Sequence, residues 1–488
     1  MKHILIIGGG VAGLSAGIYA QLCGYQATIC EKHYIAGGNL TAWDRSGYHI
    51  DNCIHWLTGT NPATTTYRMW ETLGALGETD IYQGNSLFTC EYEGKRIALY
   101  RDLDRMKREM LALSPEDEQE ILDFIHAIEY LQGFCGIAGE KHNEKIPPLK
   151  AVFSIPLISK YYGLTTGMLA EKFRHPLLKL FFRGFFGDQF GSLALIFVCA
   201  HFCGDNAGIP CGSSKEMAER MTEKFQDLGG KLLLKKEAVT IHTEHKKATA
   251  VTFSDGTTLK ADYVILTGDP ASVFGKILDR PMPRALDKHY KNPRFLRFSS
   301  YQCAFSCSLS MLPFEGDLIF YIPEEYRETL LTDRLIVREF SHEKDFSPEG
   351  ANILQTLTFT FEKDAKDFIF LRRCDREAYN EKKKTLASLM QQLLEKHIPE
   401  LSGTLKCIDV WTPATYQRFT NAEIGSFMSF ALPSRAYPFC ASNRVKGLSN
   451  VFLATQWQQA PGGLPIAAEV GKKAIEAINS REHKRKNI

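Results

Sequence analysis

The chain carries almost no excess of charge: 58 Lys and Arg stand against 56 Asp and Glu, a formal net charge of +2. That balance removes the electrostatic footprint of a nucleic-acid binder, and no nucleic-acid motif accompanies it, so no such partner is expected. Long apolar runs are missing too. In the apolar middle of the chain the longest stretch free of Asp, Glu, Lys and Arg runs from Gln189 to Gly204, short of the roughly 20 residues that cross a bilayer. The thirteen cysteines are scattered, and the close pairs Cys199/Cys203 and Cys303/Cys307 lack a C-x-x-C partner set, so no metal is expected. They read as buried thiols of a reducing cytoplasm. There is no internal repeat and no low-complexity linker. Met1-Lys2-His3 leads directly into an apolar run, so no secretion signal is expected and a cytoplasmic location is. At 44% hydrophobic and 23% charged residues over 488 positions, the composition is that of a globular protein with core enough for two domains.

What the chain does have is concentrated at its start. Ile4-Leu5-Ile6-Ile7 is too short for a helix and rich in β-branched residues, which predicts a parallel strand buried on both faces. Gly8-Gly9-Gly10-Val11-Ala12-Gly13 follows in G-x-G-x-x-G spacing: Gly8 for the tight turn, Gly10 for close approach of a pyrophosphate, Gly13 for packing of the next helix. Leu14 to Leu22 predicts that helix, stopping at Gly24, with free N–H groups at its start for phosphate. Ala27 to Cys30 predicts the second strand, and Glu31 stands at its end, where an acid accepts hydrogen bonds from an unphosphorylated ribose. An adenine dinucleotide is the expected ligand.

Glu31-Lys32-His33-Tyr34-Ile35-Ala36-Gly37-Gly38 resembles the second-strand motif of the FAD-dependent oxidoreductases that include phytoene desaturases, carotenoid isomerases and retinol saturases. Gly47 to Gly59, with His55 four residues after Asp51, resembles the retinol-saturase-like branch, although Cys53 stands where relatives usually have glycine. The helix and strands from Ser213 to Asp269 resemble the family's second FAD segment, Thr412-Pro413-Ala414-Thr415-Tyr416 and Gly425-Ser426 a segment that passes near the flavin, and Val451 to Gly471 the closing strand and helix. Thr455-Gln456 departs from the Gly-Asp or Gly-Ala usual after that strand. The resemblance implies FAD held by Gly8, Gly10, Val11, Ala12, Gly13, Glu31, Lys32, Gly37, Gly38, Asn39, Val239, Asp269, Gln456, Gly463, Leu464 and Pro465. It further implies an α/β fold, in which a Rossmann-like FAD-binding domain (1–80, 205–278 and 436–488) is interleaved with an α+β substrate domain (81–204 and 279–435).

Elsewhere the pattern is plainer. Tyr67 to Leu73 predicts a helix ending at Gly74, Phe88 to Tyr100 a strand pair, and Ser114-Pro115-Glu116-Asp117 a serine-capped helix start. Ser299 to Leu309 and Asn352 to Phe361 alternate as half-buried strands of a sheet with helices over one face. Ala151 to Gly204 is crowded with aromatic and aliphatic residues (Phe153, Ile155, Leu157, Ile158, Tyr161, Leu177, Phe181, Phe185), interleaved with Lys160, Lys172, Arg174, Lys179 and Arg183. Core helices, the wall of a long apolar pocket and peripheral contact with a membrane all suit that pattern.

FAD chemistry means hydride exchange. The resemblance implies an oxidoreductase that saturates, desaturates or isomerises C=C bonds of an apolar carotenoid- or retinoid-like lipid. A flavin amine oxidase and a flavin-binding protein without turnover remain the alternatives. His55 is the candidate for proton transfer near neutral pH, and Tyr416 is the second catalytic candidate. No second G-x-G-x-x-G follows a strand, so the electron donor or acceptor stays open.

Overall fold

Five short strands form a parallel sheet in the order Lys231–Leu233, Gln26–Cys30, His3–Ile7, Tyr263–Leu266, Val451–Leu453. The computed structural model that shows this describes residues 1–134, 159–435 and 440–482. Both faces of the sheet are covered, which is why Ile4, Leu5 and Ile6 are fully buried and why the strand reads as a continuous apolar run. Helices Val11–Leu22, Ser214–Asp227 and Leu464–Arg481 pack on one face. A three-stranded sheet, Ala238–Glu244, Lys247–Phe253 and Thr258–Leu259, packs on the other. Gly13 lets the first helix close on the strand: a Cβ there would lie 2.0 Å from the Gly8 carbonyl oxygen, so any side chain would force the two apart.

The second layer is a mixed sheet of seven strands, ordered Leu405–Trp411, Phe298–Cys307, Asn352–Phe361, Arg334–Glu339, Asp317–Tyr321, Ser86–Tyr92, Lys95–Tyr100. Its long strands differ from the half-buried expectation. Ser300 and Gln302 are as buried as Tyr301 and Cys303, because the polar face of the alternation turns toward the Tyr416 hydroxyl and an internal cavity instead of solvent. Helices also cover both faces rather than one. Glu362–Cys374 and Arg376–His397 pack behind the sheet, while Pro176–Gly184 packs on Phe88, Cys90 and Ile319 in front.

The expected helix near Tyr67 runs Thr65–Thr72, capped by Thr64. The Ser114 hydroxyl does not cap the next helix. It donates to Asp117 at 2.7 Å, and Pro115–Asp117 enters as a 3-10 turn before Glu118–Phe134. The preceding helix, Leu103–Leu113 capped by Asp102, buries Met106 and Met110 and packs Leu103, Leu111 and Leu113 against the same core. Among the thiols, Cys374 and Cys440 are exposed, against the expectation of burial. In the aromatic region, Leu177, Phe181 and Phe182 are core, and Lys160, Lys179 and Arg183 pair with Asp123, Glu171 and Asp188. Phe153, Ile155, Leu157 and Ile158 lie outside the described residues.

Candidate active site

A single cavity of about 1260 Å³ runs from the glycine turn of the parallel sheet to the polar face of the mixed sheet. That exceeds the roughly 300–1,000 Å³ of an ordinary small-ligand site, so it has room for an elongated ligand and a second molecule. Its first half is built from backbone. Gly8 turns at φ +107° against the Thr267 hydroxyl, and Gly37 pairs with Gly10 through a hydrogen bond from Gly37 N–H to the Gly9 carbonyl at 2.8 Å. Nothing but backbone lines the approach at Gly10, where the nearest atoms to an added Cβ belong to Gly37 and Gly38 at 3.8 and 3.9 Å. The Val11–Leu22 helix begins here, adding its partial positive charge.

Glu31 is 6% exposed, with Oε2 accepting from Gly9 N–H at 2.7 Å and Oε1 from His33 N–H at 2.8 Å. Burial raises its carboxyl above the usual carboxylate range, and those two N–H groups oppose the rise. At Val239 the strand pairing skips a residue between Ala238 and Thr240, which turns a 41% exposed valine toward the cavity edge. Asp269 accepts from Ala271 N–H, Tyr290 hydroxyl and Glu423 N–H, so it fixes the loop beyond the fourth strand; burial raises its carboxyl. Lys32 lines the cavity, but its ammonium donates to the Arg418 carbonyl and the Asn421 amide. Gln456 stands where the motif departs: its Oε1 accepts from Gly463 N–H at 2.9 Å, and its Nε2 donates to the Phe427 carbonyl at 3.2 Å. It therefore locks the start of the last helix, where Gly463, Leu464 and Pro465 face the cavity.

Val11, Ala12, Gly37, Gly38 and Asn39 share that lining. Two expected residues stand behind it. Gly13 serves packing, as described above, and Tyr416 is 4% exposed and outside the lining. The Thr412-Pro413-Ala414-Thr415 motif is a capping box that starts helix Pro413–Thr420, and this turns the Tyr416 hydroxyl into a hub. That hydroxyl accepts from Gln302 Nε2 at 2.8 Å and from Trp411 Nε1 at 3.0 Å, and donates to Asn52 Oδ1 at 2.9 Å. Asn52 and Gln302 do line the cavity, so Tyr416 acts through them. Burial pushes its phenol up to about 12, which keeps it a neutral donor. Tyr416→Phe is expected to leave flavin stoichiometry intact and to cost about 1–3 kcal/mol in denaturant unfolding, since Gln302 and Trp411 lose their acceptor. Loss of flavin with unchanged stability would instead place the hydroxyl on the cofactor.

His55 is delivered by a pinned loop. Asp51 accepts from Ser214 N–H and Ser214 hydroxyl, each at 2.6 Å, and from Cys53 N–H at 2.9 Å. The Ser214 oxygen in turn accepts from Ile54 N–H at 3.1 Å. His55 thereby enters the cavity beside Trp56, and its Nδ1 lies 3.4 Å from Asp317 Oδ2. Asp317 faces Arg338 across paired strands, with Oδ1 3.6 Å from Nε. Burial and the Arg338 charge hold the imidazole below its ordinary range, against the pull of Asp317. The neutral ring with Nδ1–H toward Asp317 leaves Nε2 as a lone-pair base.

Sequence reasoning missed Asn52, Gln302, Asp317 and Arg338, which reach the site from strands and loops far apart in the chain. The wall of the second half lies within Ala151 to Gly204, as one of the readings of that stretch has it, and Phe185 lines it. Helix Ser192–Cys203 places Leu193, Ala194, Phe197, Val198 and His201 on the cavity, while Leu195, Ile196, Cys199 and Phe202 are buried behind. A helix apolar all round faces protein on every side or an apolar space on one; that was the available signal. Phe298, Leu357 and Phe359 of the mixed sheet face the same space.

The glycine cradle, the buried acid beside it and the Ser426 hydroxyl fit a flavin dinucleotide. That hydroxyl is 3% exposed and without a partner among the described residues, yet it lies in the cavity lining. Fold and site together define a dinucleotide-binding flavoenzyme. Residues 11–302 match the flavin-containing amine oxidoreductase family, and the chain belongs to it; FAD is its cofactor. It is 22% identical to the chloroplastic prolycopene isomerase of Arabidopsis thaliana over 454 residues, 87% of this chain and 73% of that protein. It is 21% identical to a lycopene-forming phytoene desaturase of a Paracoccus species over 500 residues, 98% and 97% of the two chains. Among solved structures it resembles an oxidoreductase from Methanosarcina mazei, with TM-score 0.60, 14% identity, and 97% and 100% of the chains covered. Cyclohexylamine oxidase from Brevibacterium oxydans is similar at TM-score 0.59, 13% identity and 99% coverage of both chains; these two likenesses concern the fold.

Proposed function

We propose that this enzyme saturates, desaturates or isomerises C=C bonds of an apolar, carotenoid- or retinoid-like lipid. The observation that carries the proposal is the continuity of the cavity from the glycine cradle into a chamber walled by Leu193, Phe197, Val198, Phe298, Leu357 and Phe359. The curated relatives that are named as desaturases and isomerases of such polyenes support it. Bound FAD supplies hydride exchange. The glycine turns and Glu31 hold its nucleotide half, and the start of the Leu464–Arg481 helix favours negative charge near it. The apolar walls exclude water, and His55 Nε2 takes or returns a proton at a substrate carbon while Asp317 and Arg338 fix its tautomer.

The proposal keeps the division into an FAD-binding domain (1–80, 205–278, 436–488) and a substrate domain (81–204, 279–435). It also keeps a cytoplasmic setting with peripheral membrane contact, the phase in which such a substrate partitions. No helix among the described residues is long and apolar enough to cross a membrane. Phe197→Asp tests the chamber directly, because a carboxylate there must be desolvated against apolar walls. The holoenzyme variant is expected to keep its flavin and to lose at least about 10-fold in affinity for a polyene, read as perturbation of the flavin spectrum. Unchanged affinity would place the substrate elsewhere.

A further inference from the structure

The chamber wall contains one residue that its apolar character does not explain. His201 lies on helix Ser192–Cys203 one turn beyond Phe197, on the cavity-facing stripe that begins at Leu193, about 12 Å away along the helix axis. Its ring state is decided by Asn206, which is 2% exposed. Asn206 is held at both backbone atoms: its N–H donates to the His201 carbonyl at 2.9 Å, and its carbonyl accepts from Gly59 N–H at 3.2 Å. Its amide orientation is set as well, since Oδ1 accepts from Asn61 N–H at 3.0 Å. The amide NH₂ therefore faces His201 Nδ1, at 3.1 Å. An amide nitrogen only donates, so Nδ1 is the acceptor and the ring proton sits on Nε2. Burial holds the imidazole down to about 4, so at neutral pH the ring is neutral. No second partner for it is seen among the described residues. A tautomer set from behind by one buried asparagine, itself oriented by the Asn61 backbone N–H, with the ring N–H left for the cavity, is a costly arrangement for a wall that touches only hydrocarbon.

We infer that His201 Nε2–H donates a hydrogen bond to an oxygen of the substrate, so that the lipid taken by this chamber is an apolar chain bearing a carbonyl, hydroxyl or ether group, in preference to a pure hydrocarbon. This deepens the proposed function and rests on its placing of the substrate in this chamber. The recognition follows the general asymmetry of polar sites. A pocket built to donate a hydrogen bond discriminates against the analogue that leaves the donor unpaired, whereas apolar walls distinguish chains of equal shape poorly.

The test uses the FAD holoenzyme and two probes of one shape: geranylacetone, a polyprenyl ketone, and the hydrocarbon in which its C=O is replaced by CH₂. Binding is read from perturbation of the flavin spectrum for the parent, His201→Phe and His201→Gln. The parent is expected to bind the ketone about 3- to 10-fold more tightly than the hydrocarbon, the scale of one neutral hydrogen bond. His201→Phe should erase that ratio while keeping hydrocarbon affinity and flavin content, and His201→Gln, which restores an N–H donor, should recover part of it. Equal affinities for the two probes in the parent, or a parallel loss of both in His201→Phe, overturn the donor role and leave the chamber standing. Loss of flavin from His201→Phe assigns the donor to the cofactor and overturns the inference. Failure of both probes to perturb the parent's flavin overturns the chamber reading and the inference with it.

Discussion

His55→Ala is expected to keep a full complement of FAD and to lose about 100-fold or more in turnover, the scale of general acid–base catalysis. FAD retention follows from the architecture: His55 sits in a loop pinned by Asp51 and Ser214 through its backbone and neighbours, so truncating the ring releases none of those bonds. Asp317 also keeps Arg338 at 3.6 Å and is not left as an unpaired buried charge. Asp317→Asn gives the second arm. It preserves volume but can present its NH₂ to Nδ1, favouring the wrong tautomer, and should impair turnover with unchanged flavin content. The pH profile carries the sign. Burial and Arg338 depress the His55 pKa below 6.5, so the neutral base is fully present above that value and is lost only as pH falls below it. The acid limb of turnover should therefore lie below the ordinary histidine range in the parent and be absent in His55→Ala. The same depression makes His55 a stabilising group above its unfolded pKa, with that contribution lost as pH falls toward the folded one. Single-turnover kinetics unchanged in His55→Ala would remove it from the mechanism.

Glu31→Gln is expected to weaken FAD binding by roughly 1–3 kcal/mol, about 5- to 150-fold, measured by equilibrium dialysis of the apoprotein against FAD. The structure adds a second cause to the loss of a charged ribose acceptor. Both carboxylate oxygens already accept backbone N–H groups, Gly9 on one side and His33 on the other. A glutamine side chain offers one acceptor and one donor, so one of those N–H groups would meet NH₂ and the glycine turn would lose its anchor. Glu31→Asp, which keeps both acceptors but shortens the reach, should fall between. An affinity unchanged by Glu31→Gln would move the ribose away from this acid.

The nucleotide half of the site was legible in the sequence because local geometry dictates it. A buried parallel strand, a turn that only glycine can make against Thr267 and an acid at the next strand end follow one another between His3 and Glu31, so spacing alone carries the chemistry. The substrate half was not legible in the same way. Gln302 reads as the polar face of an ordinary strand, and only tertiary packing, with the Tyr416 hydroxyl against its amide and the cavity beside it, turns that face inward. Asp317 and Arg338 meet through strand register, which sequence spacing does not encode. Tyr416 was selected for its place in a motif, yet the motif proved to be a helix cap that directs the hydroxyl toward Asn52 and Gln302. The aromatic crowding around Phe181 and Phe185 was visible, but the same pattern serves a core and a cavity wall equally well.

The most direct test of the account is anaerobic incubation of the oxidised and the dithionite-reduced holoenzyme with an apolar polyene and, separately, with a primary amine, following the polyene and flavin spectra together. The account predicts that the polyene spectrum changes with one flavin state or the other, as its conjugation is extended, shortened or isomerised, and that the amine leaves the oxidised flavin as it was. Bleaching of the flavin by the amine, with the polyene spectrum unmoved in both states, would contradict it.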